Sequence, residues 1–331
     1  ESKLSIKVKW GKEIMELCFE DGTSATVAEM KAELQRRTGV DHAKMKLLNL
    51  RAADSALLSE CKVPKVVKMM GTAEKKLSAA IAAQGAAANQ LTLLNDLDVG
   101  LCVGDALSKQ DHVMEKLRKS IAQTEIKMQM MNEPRPGKAL LVLDLDHTLL
   151  DFTQRSETAF ADMKRPHVDL FLEQVYASYD LVIWSQTHWK WLEIKLTELG
   201  FLTNPGFRFL FVLDKTSMFR VNSVSAKGDK KRKSVKPLEL IWANFPQYSR
   251  RNTLHIDDLS TNFVLNPQNG IKCSGFYRKK KEKARTDCEL VLLAKYLLDV
   301  AARENDFSAV DHSRWLHRVE AIIRSESAPQ S

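Results

Sequence analysis

Hydrophobic and polar positions follow two different rhythms along this chain. Over residues 4–10 (LSIKVKW) and 14–19 (IMELCF) they alternate with the period of a half-buried strand, and Gly11-Lys12-Glu13 between them predicts a β-hairpin. From Thr26 the spacing becomes helical, with Val27, Met30 and Leu34 as one apolar stripe. Thr26 can cap that helix while Glu29 reaches back in a capping box, and Gly39 stands where a terminating residue needs positive φ. Residues 46–50 and 66–70 are two further short strand candidates. Beyond residue 138 the rhythm changes to unbroken apolar runs too short for helices: 139–143 (ALLVL), 180–184 (DLVIW), 208–213 and 253–256. Runs of that kind suit strands buried on both faces. Helical patterns follow them, through about Ala177, over 189–199 with Gly200 closing, after Lys236-Pro237-Leu238, over 288–303 and near 314–324. Strand and helix in alternation predict a doubly wound parallel sheet with right-handed crossovers.

Residues 73–132 fit neither rhythm. Ala79–Ala83 and Ala86–Ala88 favour helix, but Gly85, Gly100 and Gly104 interrupt it, so 74–104 is expected to be a partly helical linker. Residues 110–131 are expected to form an amphipathic helix, with Val113, Leu117, Ile121 and Met128 packing on the second domain. The predicted organisation is therefore a small α+β domain over 1–72, a linker and helix over 73–132, and an α/β domain over 133–325.

Composition narrows the setting. No run of about 18 apolar residues occurs, so no membrane-spanning helix is expected. The first residues alternate where a secretory leader would be uniformly apolar. Five scattered cysteines without a CxxC pair support neither a disulfide framework nor a zinc module, which leaves a cytosolic or nuclear setting as the expectation. The net charge of +8 is concentrated in 227–236 (KGDKKRKSVK) and 278–285 (RKKKEKAR). Each run reads as a solvated loop, a nuclear-import address or an attractor for acidic partners. No aromatic residues interleave with them, so nucleic-acid binding is not indicated.

The chemistry collects at the carboxyl ends of the predicted strands, where open α/β sheets place their ligands. Asp144 and Asp146 end the first run with Thr148 just beyond, Ser185 ends the second, and Asp257-Asp258 ends the fourth. Paired carboxylates offer a hard-oxygen cation site, a nucleophile and a proton donor. The Asp-x-Asp-x-Thr pattern after a hydrophobic strand resembles motif I of the haloacid-dehalogenase superfamily. Ser185, Lys236 and Asp257-Asp258 follow in the order of its remaining motifs.

This resemblance implies that Asp144 attacks phosphorus and that Asp146 protonates the leaving group. It also implies that Thr148, Ser185 and Lys236 bind phosphate. Mg²⁺ would be held by Asp144, Asp146 (through its carbonyl) and Asp258, with Asp257 the less favoured ligand. The intervals 144–185 and 236–257 are each too short for a separate cap domain of roughly 50 residues. An open cleft of that kind suits a phosphorylated protein segment.

KRPHVDLFL (164–172) and VIWSQT (182–187) are similar to the small carboxy-terminal-domain phosphatases, which act on phosphoserine and phosphothreonine. Residues 1–72 resemble a ubiquitin-like β-grasp domain at Thr26-Val27, Met30, Lys31, Leu34, Gln35 and Gly39-Val40. The chain continues past Gly71-Thr72 without a Gly-Gly end, as a built-in module would. The combination resembles the family of such phosphatases that carry a ubiquitin-like domain, and NPQNGIK (266–272) and IDD-x3-NF fit it. That implies a nuclear enzyme that docks on the proteasome regulatory particle and dephosphorylates it. Two other readings stay open here: a proteasome-binding adaptor whose catalysis is secondary, and a small-molecule phosphatase of the same superfamily.

Overall fold

The computed structural model describes residues 3–73, 96–102, 107–123, 128–152, 160–224 and 230–327. It divides into two compact units, one of residues 1–91 with 131–133 and 189–208, the other of 92–130, 134–188 and 209–331.

In the first unit, β1 (Leu4–Trp10) and β2 (Glu13–Phe19) pair antiparallel around a two-residue turn. Gly11 takes φ 60° there, a conformation that glycine reaches without Cβ strain. Helix α1 (Val27–Thr38) begins on the expected capping box between Thr26 and Glu29 and stops at Gly39, φ 69°. Strands β3 (Lys46–Leu47) and β4 (Val67–Met70) complete a sheet of order β2-β1-β4-β3, with β4 parallel to β1. Val27, Met30 and Leu34 bury their stripe against Ile6, Val8, Leu17, Val67 and Met69. A hairpin, a helix across it and a parallel return strand make the ubiquitin-like β-grasp. Helix α4 (Trp189–Glu198), closed by Gly200 at φ 70°, also belongs to this unit.

The second unit is built on a six-stranded sheet. Its strands are β6 (Gln129–Met130), β7 (Ala139–Leu143), β8 (Tyr179–Trp184), β9 (Phe209–Leu213), β12 (Thr253–Asp257) and β13 (Gly270–Lys272). The order is β13-β12-β7-β8-β9-β6, parallel throughout except for the edge strand β6. From β7 the chain runs outward through β8 and β9, then crosses back to β12. Strand order therefore reverses beside β7, at the switch point where such sheets bind ligands.

Side chains alternate across this sheet. Leu140, Val142, Val182 and Trp184 face a core completed by Leu117, Leu238 and Ile241. Leu141, Leu143 and Leu181 point to the opposite layer, where Tyr179 donates through its hydroxyl to the Leu297 carbonyl at 2.8 Å. Helix α2 (Leu107–Gln123) and α5 (Glu239–Asn244) cover the first face. Helix α3 (Val168–Tyr176) packs with α6 (Glu289–Arg303), and α6 with α7 (Trp315–Ser327).

Three features differ from the sequence expectation. Asp96–Cys102, expected to be linker, is a strand, β5, paired parallel with β10 (Phe219–Val224). The strand β11 (Lys230–Val235) joins them in a three-stranded sheet of order β11-β10-β5, so the interval between Ser185 and Lys236 carries a small insertion. Its sequence, KKRKSV, lacks the apolar alternation of a half-buried strand and so hides the backbone pairing with β10. The amphipathic helix ends at Gln123, and Gln129–Met130 is an edge strand beside β9. Leu117 and Ile121 still enter the α/β core. The alanine-rich stretch of the expected linker and residues 227–229 of the first basic run lie outside the described residues.

Candidate active site

Register brings the site together. Leu143 pairs with Ile183 on one side and Ile256 on the other, so Asp144, Trp184 and Asp257 lie level at the carboxyl ends of three adjacent strands. The amide of Asp144 donates to the Ile256 carbonyl at 3.0 Å and holds the two acidic strand ends together. Lys236, which directly follows β11, fits between them. Its Nζ lies 2.5 Å from Asp144 Oδ1 and 2.7 Å from Asp257 Oδ2, and the side chain is 0 % exposed. The basic run therefore ends in one buried lysine with a defined task, while Lys233 is exposed.

Each carboxylate has its own surroundings. Thr148 donates from Oγ1 to Asp144 Oδ2 at 3.1 Å, so the predicted phosphate ligand orients the predicted nucleophile. Burial pushes the Asp144 carboxyl up to about 7, against the pull of Lys236 and with the charge of Asp257 adding to the rise. Asp257 is saturated by donors: Lys236, both oxygens from Asn262 Nδ2 at 2.8 Å, and the Leu259 amide at 2.9 Å. Despite its burial, Lys236 and His255 hold Asp257 well below the usual carboxylate range.

Asp258 is half-buried and its carboxyl is raised, by burial first and then by the charge of Asp257. Asp144, Asp257 and Asp258 each place a carboxylate oxygen within 4.8 Å of the others, an all-oxygen donor set that fits a hard divalent cation. Asp257 is engaged by Lys236, Asn262 and the Leu259 amide, and Asp144 by Lys236 and Thr148.

Asp146 stands apart from that cluster. Thr187 donates to its Oδ2 from Oγ1 at 2.9 Å and Ser185 from Oγ at 3.4 Å. Ser185 is fully buried and accepts the Thr187 amide at 3.0 Å, with its one hydroxyl proton directed toward Asp146. Sequence reasoning missed Thr187 and Asn262 as site residues, although both lie inside quoted motifs. The main chain of Lys236 donates to the Asn262 carbonyl at 2.7 Å, so Asn262 fixes both ends of the Lys236–Asp257 pair.

Arg165 was also missed. This arginine is 1 % exposed and reaches the Thr148 and Ser274 carbonyls at 3.2 and 3.1 Å. It pairs with Asp287 through two nitrogens at 2.9 Å and with Glu289 at 2.7 Å. It ties the loop after β7 to the chain beyond β13. A groove of about 1400 Å³ between α2 and α5, lined by Arg118, Trp242 and Asn269 among others, lies toward the amino end of β12 and contains none of these residues.

Known proteins are similar in sequence along most of the chain. Residues 139–308 match the NLI interacting factor-like phosphatase family. The ubiquitin-like domain-containing CTD phosphatase 1 of Gallus gallus is 36% identical over 323 residues, 94% of this chain and 96% of the relative. The chain belongs to that family of phosphatases. Its Homo sapiens member is 34% identical over the same 323 residues, and the Arabidopsis thaliana ubiquitin-like domain-containing CTD phosphatase is 38% identical over 325, 95% of this chain and 90% of its own. A solved structure of Fcp1, an essential RNA polymerase II CTD phosphatase, aligns over 67% of this chain and 71% of its own at TM-score 0.35 and 14% identity. Family membership makes the chain a protein phosphatase with a ubiquitin-like domain. The only acidic triad of metal-binding geometry among its described residues lies at the carboxyl ends of β7 and β12.

Proposed function

We propose that this protein is a Mg²⁺-dependent phosphoserine/phosphothreonine phosphatase that forms an aspartyl-phosphate on Asp144. One observation carries the reading: Asp144 is held by Thr148 and Lys236 at the switch point, with Asp258 beside it and Asp146 braced by a separate pair of hydroxyls. Phosphoryl transfer depends on alignment and charge neutralisation, and this arrangement supports both.

Asp144, Asp258 and the main-chain carbonyl of Asp146 would hold Mg²⁺, which offsets the repulsion between carboxylate and phosphate and polarises a phosphoryl oxygen. Thr148 and Lys236 fix the Asp144 carboxylate so that it attacks phosphorus in line with the ester bond. That bond breaks, and the departing serine or threonine oxygen takes a proton from Asp146. Asp146 then accepts a proton from water as the water attacks phosphorus, releasing inorganic phosphate and regenerating Asp144. Ser185 and Lys236 offer a hydroxyl proton and an ammonium to the equatorial phosphoryl oxygens, where charge builds in the transition state.

The β-grasp unit supports a targeting role. We read it as the address that brings the phosphatase to the proteasome regulatory particle in the nucleus, with phosphorylated proteasome as substrate. Asp144→Asn keeps the shape of the side chain and is expected to reduce phosphopeptide turnover to background. A beryllium fluoride complex is expected to carry its adduct on Asp144, and an adduct on any other side chain would refute the assignment. Removing residues 1–73 is expected to spare peptide turnover and to abolish the preference for phosphorylated proteasome, so an undiminished preference argues against targeting.

A further inference from the structure

The second basic run, Arg278–Arg285, has six cationic side chains against the single acid Glu282. The structure fastens the start of this run to the loop that carries Asp146. The Phe276 amide donates to the His147 carbonyl at 2.7 Å, and the Arg278 amide donates to Asp151 Oδ2 at 2.8 Å. His147 adopts φ 64°, a left-handed turn directly after Asp146, and its ring lies against Tyr277 with centroids 4.5 Å apart. Tyr277 in turn supports the run: the Lys280 and Lys279 ammonium groups lie 5.1 and 5.9 Å from its ring. Arg165 secures the same segment from below, through the Ser274 carbonyl and Asp287.

Among the described residues the charge along this lip is not neutralised by neighbouring acids. Lys279–Lys283 are exposed, and none of Lys279, Lys280, Lys281 or Lys283 is ion-paired among the described residues. The two acids nearest in sequence beyond the run, Asp287 and Glu289, are taken up by Arg165. Neither a solvated loop nor an import address needs anchoring to the loop that carries Asp146, so this anchoring favours the third reading of this run.

We infer that Lys279, Lys280, Lys281 and Lys283 form a substrate-recognition lip that selects phosphosites flanked by acidic residues or by a second phosphate. The inference rests on the phosphatase reading and adds the class of substrate. Several cations on one edge of a cleft raise the local concentration of anionic segments, an effect of 10- to 1000-fold on association. Because the lip is exposed, the effect is screened within a Debye length of about 10 Å at 0.1 M salt.

The test uses the full chain, Mg²⁺, and paired phosphoserine peptides that carry either aspartate and glutamate or alanine around the same phosphosite, with p-nitrophenyl phosphate as a substrate too small to reach the lip. At low salt the acidic peptide is expected to show roughly tenfold higher kcat/KM, carried by KM, at the low end of such steering. Replacing the four lysines by glutamate is expected to bring the ratio to one or below and to leave p-nitrophenyl phosphate turnover unchanged. A set of four Lys→Gln changes is expected to fall between, and 0.5 M salt to erase the preference in the unmodified protein. An acidic-to-neutral ratio that survives the four glutamates, or equal turnover of the two peptides by the unmodified protein, overturns the inference. Failure to turn over any of the three substrates overturns the phosphatase reading and this inference with it.

Discussion

Lys236→Met takes away the one cation that two buried carboxylates share. The ammonium it removes lies 2.5 and 2.7 Å from two carboxylates on residues that are 4 % and 0 % exposed. Breaking a buried ion pair by deleting one partner costs about 3–5 kcal/mol, because the remaining charge has neither partner nor water. Asp257 retains Asn262 and the Leu259 amide, so the loss concentrates on Asp144.

The sign of the pH dependence follows from the same contacts. Burial already raises Asp144 to about 7, and without Lys236 it rises further. A carboxyl raised in the folded state contributes stability below its unfolded value of about 3.9, and that contribution is lost as pH climbs through the folded value. Asp257 works in the opposite sense. Lys236 helps to depress it, so the stability it lends is present above the unfolded value and lost in acid, and in the variant this contribution shrinks. The Asp144 effect makes the variant's deficit larger at pH 8 than at pH 5, while the Asp257 effect weighs equally at both, since both lie above its unfolded value. For a unit of this size each kcal/mol corresponds to a Tm change of about 2–4 °C, hence about 6–20 °C at pH 8. Urea titration and thermal scans at the two pH values measure it, and millimolar Mg²⁺ is expected to recover part of the loss by binding the folded state. The double variant Lys236→Met/Asp144→Asn is expected to be more stable than Lys236→Met alone. Equal deficits at pH 5 and pH 8, or no deficit at either, would refute the reasoning.

Further outcomes follow from other contacts. Arg165→Met strands Asp287 and Glu289 and is expected to lower stability by about 3–5 kcal/mol in urea; Arg165→Lys is expected not to rescue it, since a point charge cannot bridge two acids and two carbonyls. Asp258→Asn is expected to weaken Mg²⁺ binding at least tenfold by calorimetry, with the thermal unfolding of the metal-free chain little changed. Because burial raises both Asp144 and Asp258, Mg²⁺ affinity in the unmodified protein is expected to increase with pH and to level off above about 7. Proton release is then visible in buffers of different ionisation enthalpy, and a pH-independent affinity contradicts it. Thr26→Ala removes the α1 capping box and is expected to cost about 1 kcal/mol, read by hydrogen exchange in that helix, without altering turnover of p-nitrophenyl phosphate.

The sequence by itself determined what local chemistry controls. Alternation over 4–19 gave the hairpin, Thr26, Glu29 and Gly39 gave the limits of α1, and the runs at 139–143, 180–184 and 253–256 gave the parallel strands. These signals are short-range, since period, cap and turn are set by residues a few positions apart. The candidate acids were legible because strand ends are legible.

Tertiary structure alone decided the rest. The strand at Lys230–Val235 exists because β10 lies beside it, and Asp96–Cys102 is a strand because β10 has a second edge. Thr148 turns out to face Asp144, Asp257 is taken up by Lys236 and Asn262, and Arg165 links segments more than 100 residues apart. No spacing encodes these pairings, because a buried charge is satisfied by whichever partner the fold brings within about 3 Å, however distant in the chain.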